Sequence, residues 1–487
     1  VGSLILAGCY SMRSSSGGAQ ADFAGRRAYN ASDVALPPGY EIRLMAHGLT
    51  FPTGATFDSE GRLHVVESGY SYGEVWTTPR LLRIGPNGEQ IPIAAGGRNG
   101  PWTGIAFHDG AFFVAEGGVL EGGVVEGGVL EGGRILRITP DGAITAIVED
   151  LPSFGDHHTD GPAVSPDGWI YFGQGTASNS GVIGEDNAKF GWLHRNPDFH
   201  DIPGQDITLV GHNFESRDVL DPERSGKVMT GAFVPFGTRT SPNQVIPGQV
   251  KCSGGILRVG PDGSDLQLVA WGFRNPFGLA FAPDGTLFVT ENSYDDRGSR
   301  PVWGTADVLW RVQQGIWYGW PDFSAGLPLT NEKFEPPGKA HPQFLLPEHP
   351  NTPPKPIAKF GVHSSANGLD FSRSEQFGHV GEAFVALLGD QAPAVGKMLH
   401  PGGFKVVRVN IENGAIHDFA VNKGPENGPA SKFGSAGLER PIAVQFSPNG
   451  DTLYVIDFGV LLETKAGTQP KERTGAIWRI RKTGGAQ

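Results

Sequence analysis

Short runs of alternating apolar and polar residues come in pairs along this chain, each pair joined by a tight turn. Phe51–Phe57 is followed by Leu63–Glu67, and the same phrase returns over Pro101–Glu116, Thr159–Gln174, Asn275–Glu291 and Arg440–Asp457. A looser copy joins Ala366–Phe371 to Glu382–Leu387. Strict alternation over five or six residues predicts half-buried strands. The steps Pro166-Asp-Gly168, Pro283-Asp-Gly285 and Pro448-Asn-Gly450 predict the turns between them, because glycine takes the positive φ that tight hairpins need. Six such hairpins predict an all-β chain, a six-bladed β-propeller with long inserted loops.

The repeats begin near residue 50 and run to the end of the 487 residues, so one large propeller over 36–487 accommodates them better than several domains. Residues 1–35 read as a signal-peptide remnant and flexible linker. Two stretches lack periodicity and are rich in Pro, Gly, Asn and His, at 181–252 and 327–357. Each is too long for an ordinary connection, and the first is a candidate cover for the channel mouth. The run from Gly117 to Gly133 repeats with period five and reads as a duplicated hairpin extension without chemistry.

Composition narrows the function classes. The 73 glycines and 38 prolines suit a turn-rich β fold, and a formal charge of −12 with no basic stripe argues against nucleic acid. No apolar run approaches the roughly 18–20 residues of a membrane span. Of the two cysteines, Cys9 ends Leu6-Ala-Gly-Cys9, a small-residue pattern like a bacterial lipoprotein processing site. Lipidation there would tether the domain in the periplasm or at the cell surface. Cys252 is then unpaired, and is expected to be a buried small hydrophobe. No Cys-x-x-Cys-His occurs, so no haem is expected on the chain.

The phase of the repeat also places candidate chemistry. Residues just before a hairpin's first strand and just after its second lie on one side, and in a propeller those ends gather around one mouth of the channel. His157, Arg274, Asn275, His363 and Arg440 should converge there from strand starts, and Glu67, Glu116, Glu291 and Asp457 from strand ends. Glu67, Glu116 and Asp457 are equally the kind of charges that pair locally and close the blades. Arg274-Asn275-Pro276 sets a permanent cation and an amide on a rigid backbone, which suits a carboxylate-bearing ligand.

From Gly272-Phe-Arg-Asn-Pro-Phe-Gly-Leu-Ala-Phe-Ala-Pro-Asp-Gly285, with Tyr318-Gly-Trp-Pro321 and the spacing of His157 from Pro166-Asp-Gly168, the chain resembles the pyrroloquinoline-quinone-dependent sugar dehydrogenases of the soluble aldose, sorbosone and pyranose type. The resemblance spans roughly residues 40–483. It implies oxidation of a sugar at C1 by hydride transfer to pyrroloquinoline quinone, with a calcium ion (Ca2+) beside the quinone. It implies that His157 removes the hydroxyl proton, that Arg274, Asn275 and Arg440 contact the quinone, and that carbonyls of Ser293 and Tyr294 hold the calcium with Asp295, Asp296 and Asp307 nearby. His363 could add a donor to the quinone, and a separate cytochrome or quinone would accept the electrons. The chain departs from the family pattern at Ile442, where a second arginine is expected, and at Thr176, where an acid is expected. Lys397 is a weak counterpart of the family's cofactor-binding lysine. Trp310, Trp317, Tyr318 and Trp320 are expected to pack rather than stack on substrate.

Two other readings compete. A calcium-dependent lactonase would draw its metal site from Glu67, Glu116 and Asn292. A non-enzymatic propeller at the cell surface would need neither the missing lysine nor the second arginine.

Overall fold

In the computed structural model, six antiparallel sheets stand around a closed ring. It describes residues 12–14, 23, 25–71, 75–120, 132–153, 155–188, 192–221, 226–390, 396–398, 402–464 and 467–483. Cys9 and most of the 117–133 repeat lie outside these residues. Among the described residues no helix is long and apolar enough to cross a membrane.

The innermost strands of blades one to six are Pro52–Phe57, Asn99–His108, Thr159–Val164, Asn275–Phe281, Ala366–Phe371 and Pro441–Phe446. Each packs against the next, and the sixth returns to the first. The repeated glycine of the sequence phrase permits this approach. A Cβ at Gly104 would lie 2.1 Å from the Gly161 carbonyl, and one at Gly278 would lie 2.3 Å from that of Asn367. Side chains on the two faces of each blade then interdigitate between blades, as Leu49, Val65, Ile456 and Ile477 do where blade six meets blade one.

Blade six takes its outermost strand from the other end of the chain. Tyr40–Leu49 pairs antiparallel with the C-terminal strand Gly475–Lys482, so the termini close the ring. The segment expected to be a free linker is docked well before residue 35. Arg27 is buried, donates to the carbonyls of Thr474 (2.6 Å) and Gly437 (2.9 Å), and forms an ion pair with Asp457. Val34–Ala35 adds a strand to the edge of blade five.

The long insertions act as buttresses. The stretch after Arg311 runs beside the outer strand of blade three, where Gly315 N–H donates to the Val269 carbonyl and Tyr318 N–H to that of Trp271. An otherwise open sheet edge is thereby covered. Residues of 181–252 and 327–346, among them Ile207, Phe233, Leu329 and Leu345, share one apolar cluster with Trp271, Trp317 and Trp320. The first insertion, expected as a cover, therefore builds a peripheral core of its own. Cys252 sits in that core, fully buried, its thiol pushed up to about 12 by burial.

Candidate active site at the channel mouth

The mouth between blades three and four is built from five loops, and a network of charge connects them. His157 precedes the first strand of blade three. Its backbone N–H and its Nδ1 both meet the Thr176 carbonyl, at 3.1 and 3.0 Å, and Nδ1 also lies 3.1 Å from the Thr176 hydroxyl. A ring nitrogen facing a carbonyl carries the proton, so Nε2 keeps its lone pair. Burial, and then the cations Arg274 and Arg297, push the His157 pKa well below its ordinary value, so the ring is neutral at pH 7. Thr176, where an acid was expected, is thus the residue that sets the tautomer.

Asn275 is buried beside it, and its Oδ1 has no hydrogen-bond partner. Gly175 separates the two: a Cβ there would lie 2.2 Å from His157 Cβ and 3.0 Å from Asn275 Oδ1. Bare backbone at that position lets the imidazole and the amide approach one another.

Arg274 is buried, with its guanidinium fully engaged. It donates to the carbonyl (3.1 Å) and side chain (3.0 Å) of Asn179, to the Ser293 carbonyl (2.5 Å) and to Asp295 (3.0 Å). Asp295 also meets Arg297 at 3.0 Å and His363 Nδ1 at 3.4 Å. Burial opposes its ionisation, but Arg274, Arg297 and His363 outweigh that and hold the carboxyl below the usual range. Arg297 reaches across the mouth to Asp186 (2.6 Å) and to Asp156, the residue before His157. Burial works against its charge, and the three carboxylates more than offset that. Asn179, Asp156, Asp186 and Arg297 were not identified from the sequence. Proximity to His157 and Asp295 in the chain was the signal available for Asp156 and Arg297.

The expected calcium ligands are otherwise engaged. The Ser293 carbonyl takes Arg274, the Tyr294 carbonyl takes the Thr305 hydroxyl at 2.8 Å, and the Asp295 carbonyl takes Asn179 Nδ2 at 2.8 Å. Asp307 accepts from Ser293 N–H (2.8 Å) and Ser365 N–H (2.6 Å), while Asp296 is half-buried. Among the described residues no group of three or more His, Cys, Asp or Glu could hold a metal. The Arg274 guanidinium already stands at the Ser293 carbonyl that a cation would use.

Arg440 does not open onto the mouth with these residues. It is fully buried, its guanidinium 3.1 Å from the carbonyls of Gly389 and Asp390 and over the ring of Phe404. Ile442 is a buried apolar neighbour on the next strand position but one.

The strand-end acids do not converge either. Glu67 accepts from Thr50 N–H (2.7 Å) and Arg80, and Glu291 from Arg274 N–H and the Trp310 indole, both at 2.5 Å. Glu116 takes the Trp102 indole at 2.9 Å and Arg134 at 2.6 Å. Asp457 takes Arg440 N–H at 2.9 Å and Arg27. Each closes its own blade, so the lactonase site expected from Glu67, Glu116 and Asn292 is not assembled. Trp310, Trp317, Tyr318 and Trp320 are packing residues, each buried.

No protein-family model matches the chain, and no curated protein sequence matches it. Solved structures do. The holo pyranose dehydrogenase PQQ domain from Coprinopsis cinerea aligns at a TM-score of 0.55 and 17% identity, over 94% of this chain and 98% of that one. A calcium structure of the Trichoderma reesei carbohydrate-active enzyme family AA12 aligns at 0.54 and 15% identity, over 94% and 99%. The soluble aldose sugar dehydrogenase from Escherichia coli, in its apo form, aligns at 0.50 and 14% identity, over 91% and 99%. The chain has their fold. At such identity a shared fold leaves function to be argued from the site.

Proposed function

We propose that the protein oxidises an aldose or related sugar at C1, giving a lactone or acid, with pyrroloquinoline quinone as its oxidant. One observation carries this reading. A neutral imidazole with Nδ1 anchored and Nε2 unused lies across Gly175 from a buried amide oxygen that has no partner. The sugar dehydrogenases among the solved structures of this fold support the same reading.

The residues at the mouth fit a polycarboxylate quinone. Asn275 would border it, while Arg274 and Arg297 supply a positive field over the site, and Arg440 stabilises the adjoining wall from within. When bound, the quinone supplies the two-electron oxidant. His157 Nε2 accepts the proton of the C1 hydroxyl. The Thr176 carbonyl holds Nδ1–H, fixes the ring, and steadies the charge that appears on it. Burial, reinforced by the two cations, keeps His157 unprotonated at neutral pH. His363, tied to Asp295, would hold that carboxylate against the arginines.

A calcium at the Ser293 and Tyr294 carbonyls with Asp295 nearby, which the resemblance implies, would stand against the Arg274 guanidinium, which already donates to the Ser293 carbonyl and to Asp295. The residues present do not fit it, and no step is assigned to a metal. A separate cytochrome or quinone would receive the electrons. Lipidation at Cys9 would hold the protein at the periplasmic membrane or cell surface near that acceptor, which mass analysis of the Cys9 peptide would test.

Titration with the quinone, followed by an aldose panel and an artificial electron acceptor, tests the reading. Saturable binding with dye reduction that vanishes in His157→Ala supports it. No binding at high micromolar quinone overturns it and leaves a non-enzymatic binding propeller, a reading favoured by the full engagement of Arg274 within the protein.

A further inference from the structure

Beside His157, Thr176 stands where an acid is expected, yet an acid meets the same peptide from its far side. Asp201 lies in the 181–252 insertion and is 1% exposed. Its Oδ1 accepts the Ala177 N–H at 2.7 Å, and its Oδ2 takes the Ser178 hydroxyl. The Ala177 N–H and the Thr176 carbonyl are the two ends of one planar peptide group. His157 Nδ1 therefore sits on one end of that group, at 3.0 Å, and Asp201 on the other.

The turn needs this acceptor. The carbonyls of Thr176, Ala177 and Ser178 are taken in succession by His157, by the Asp156 N–H at 3.0 Å and by the Thr176 hydroxyl at 2.7 Å. With the Thr176 carbonyl turned to His157, the Ala177 N–H points the opposite way, into buried protein, where Asp201 meets it. Without the carboxyl that buried N–H has no acceptor, and turning the peptide to find another carries the carbonyl off Nδ1. Asp201 is itself held in place by its neighbour. The Ile202 N–H donates to Ser253 Oγ at 3.1 Å, and the Ser253 N–H to the Ile202 carbonyl at 2.8 Å. An acceptor at the N–H end of a peptide also polarises its carbonyl, which strengthens the bond at the other end.

We propose that Asp201 is a positioning residue for the reaction at His157, fixing its ring and its Nδ1–H tautomer through the Thr176–Ala177 peptide. This rests on the reading of His157 as the base. The carboxyl acts as an acceptor rather than as a charge. Burial pushes it up to about 7, and one oxygen still accepts when the other is protonated.

Histidine-selective 15N NMR on the full chain without quinone reads the tautomer, with the His157 signal identified by its loss in His157→Ala. The wild type should show Nδ1–H. Asp201→Leu, similar in size and without an acceptor, should populate the Nε2–H form. In the dye-linked assay it should lower turnover about 10–100-fold with KM within about threefold. Asp201→Asn keeps an acceptor for Ala177 and should restore both readouts. If Asp201→Leu does not fold, Asp201→Ala carries the same expectation. An Nδ1–H tautomer unchanged in the acceptor-free variant overturns the proposal, and so does an equal loss in Asp201→Asn. Absence of dye reduction in the wild type overturns sugar oxidation instead, while the tautomer still decides the role of Asp201.

Discussion

Two sets of carboxylates stand on the same side of this propeller and do different work. Glu67, Glu291 and Asp457 occupy equivalent strand ends, and each accepts a peptide N–H from the start of its own blade together with an indole or guanidinium. Asp156, Asp186 and Asp295 come from loops that no other blade repeats, and all three turn to Arg297. A carboxylate at these three repeat positions serves its own blade, satisfying a buried N–H at the open end. Carboxylates from the interruptions are free of that duty and can shape the field around His157.

The comparison breaks most severely if His157 is dispensable. His157→Ala should lower turnover by about 10²–10⁴-fold, the usual contribution of a positioned base, with the melting temperature nearly unchanged. Dye-linked assay and thermal unfolding check both halves. The structural set should show the opposite pattern. Arg27→Ala leaves Asp457 buried without its cation and should cost about 3–5 kcal/mol of stability, read by denaturant unfolding, while quinone affinity in the folded protein is retained.

A finer test separates the two sets by pH. Arg297 helps to keep His157 unprotonated. Removing that cation in Arg297→Gln raises the His157 pKa, so the acid limb of the pH–rate profile moves to higher pH. The shift should show as lost turnover on the acid side of the profile that is recovered as pH rises, whereas Glu67→Gln leaves the limb in place. The smallest effect is expected from chelation. With Arg274 at the Ser293 carbonyl, EDTA treatment should leave quinone affinity within about twofold, a change below about 0.5 kcal/mol. A loss of tenfold or more would show a metal displacing Arg274.

Much of the architecture was legible in the sequence. Alternation marked the hairpins and glycine their turns, while the close approach of inner strands at Gly54, Gly104, Gly278 and Gly368 came from the structure. The packing role of Trp310 and Trp317 was also expected. The candidate site was legible only in part. His157 and Asn275 meet as their repeat phase suggested, yet Arg440 is sealed behind the carbonyls of Gly389 and Asp390. Repeat phase says which end of a blade a residue occupies, but a long side chain at that end can turn to the mouth or into the wall.

Local patterns by themselves determined the strands, the turns and the number of blades, because each depends on residues a few positions apart. The tertiary structure decided which charges meet. Arg297 reaches Asp156 across 141 positions and Arg27 reaches Asp457 across 430. Tertiary packing brings such groups within Coulombic range and removes the water that would screen them.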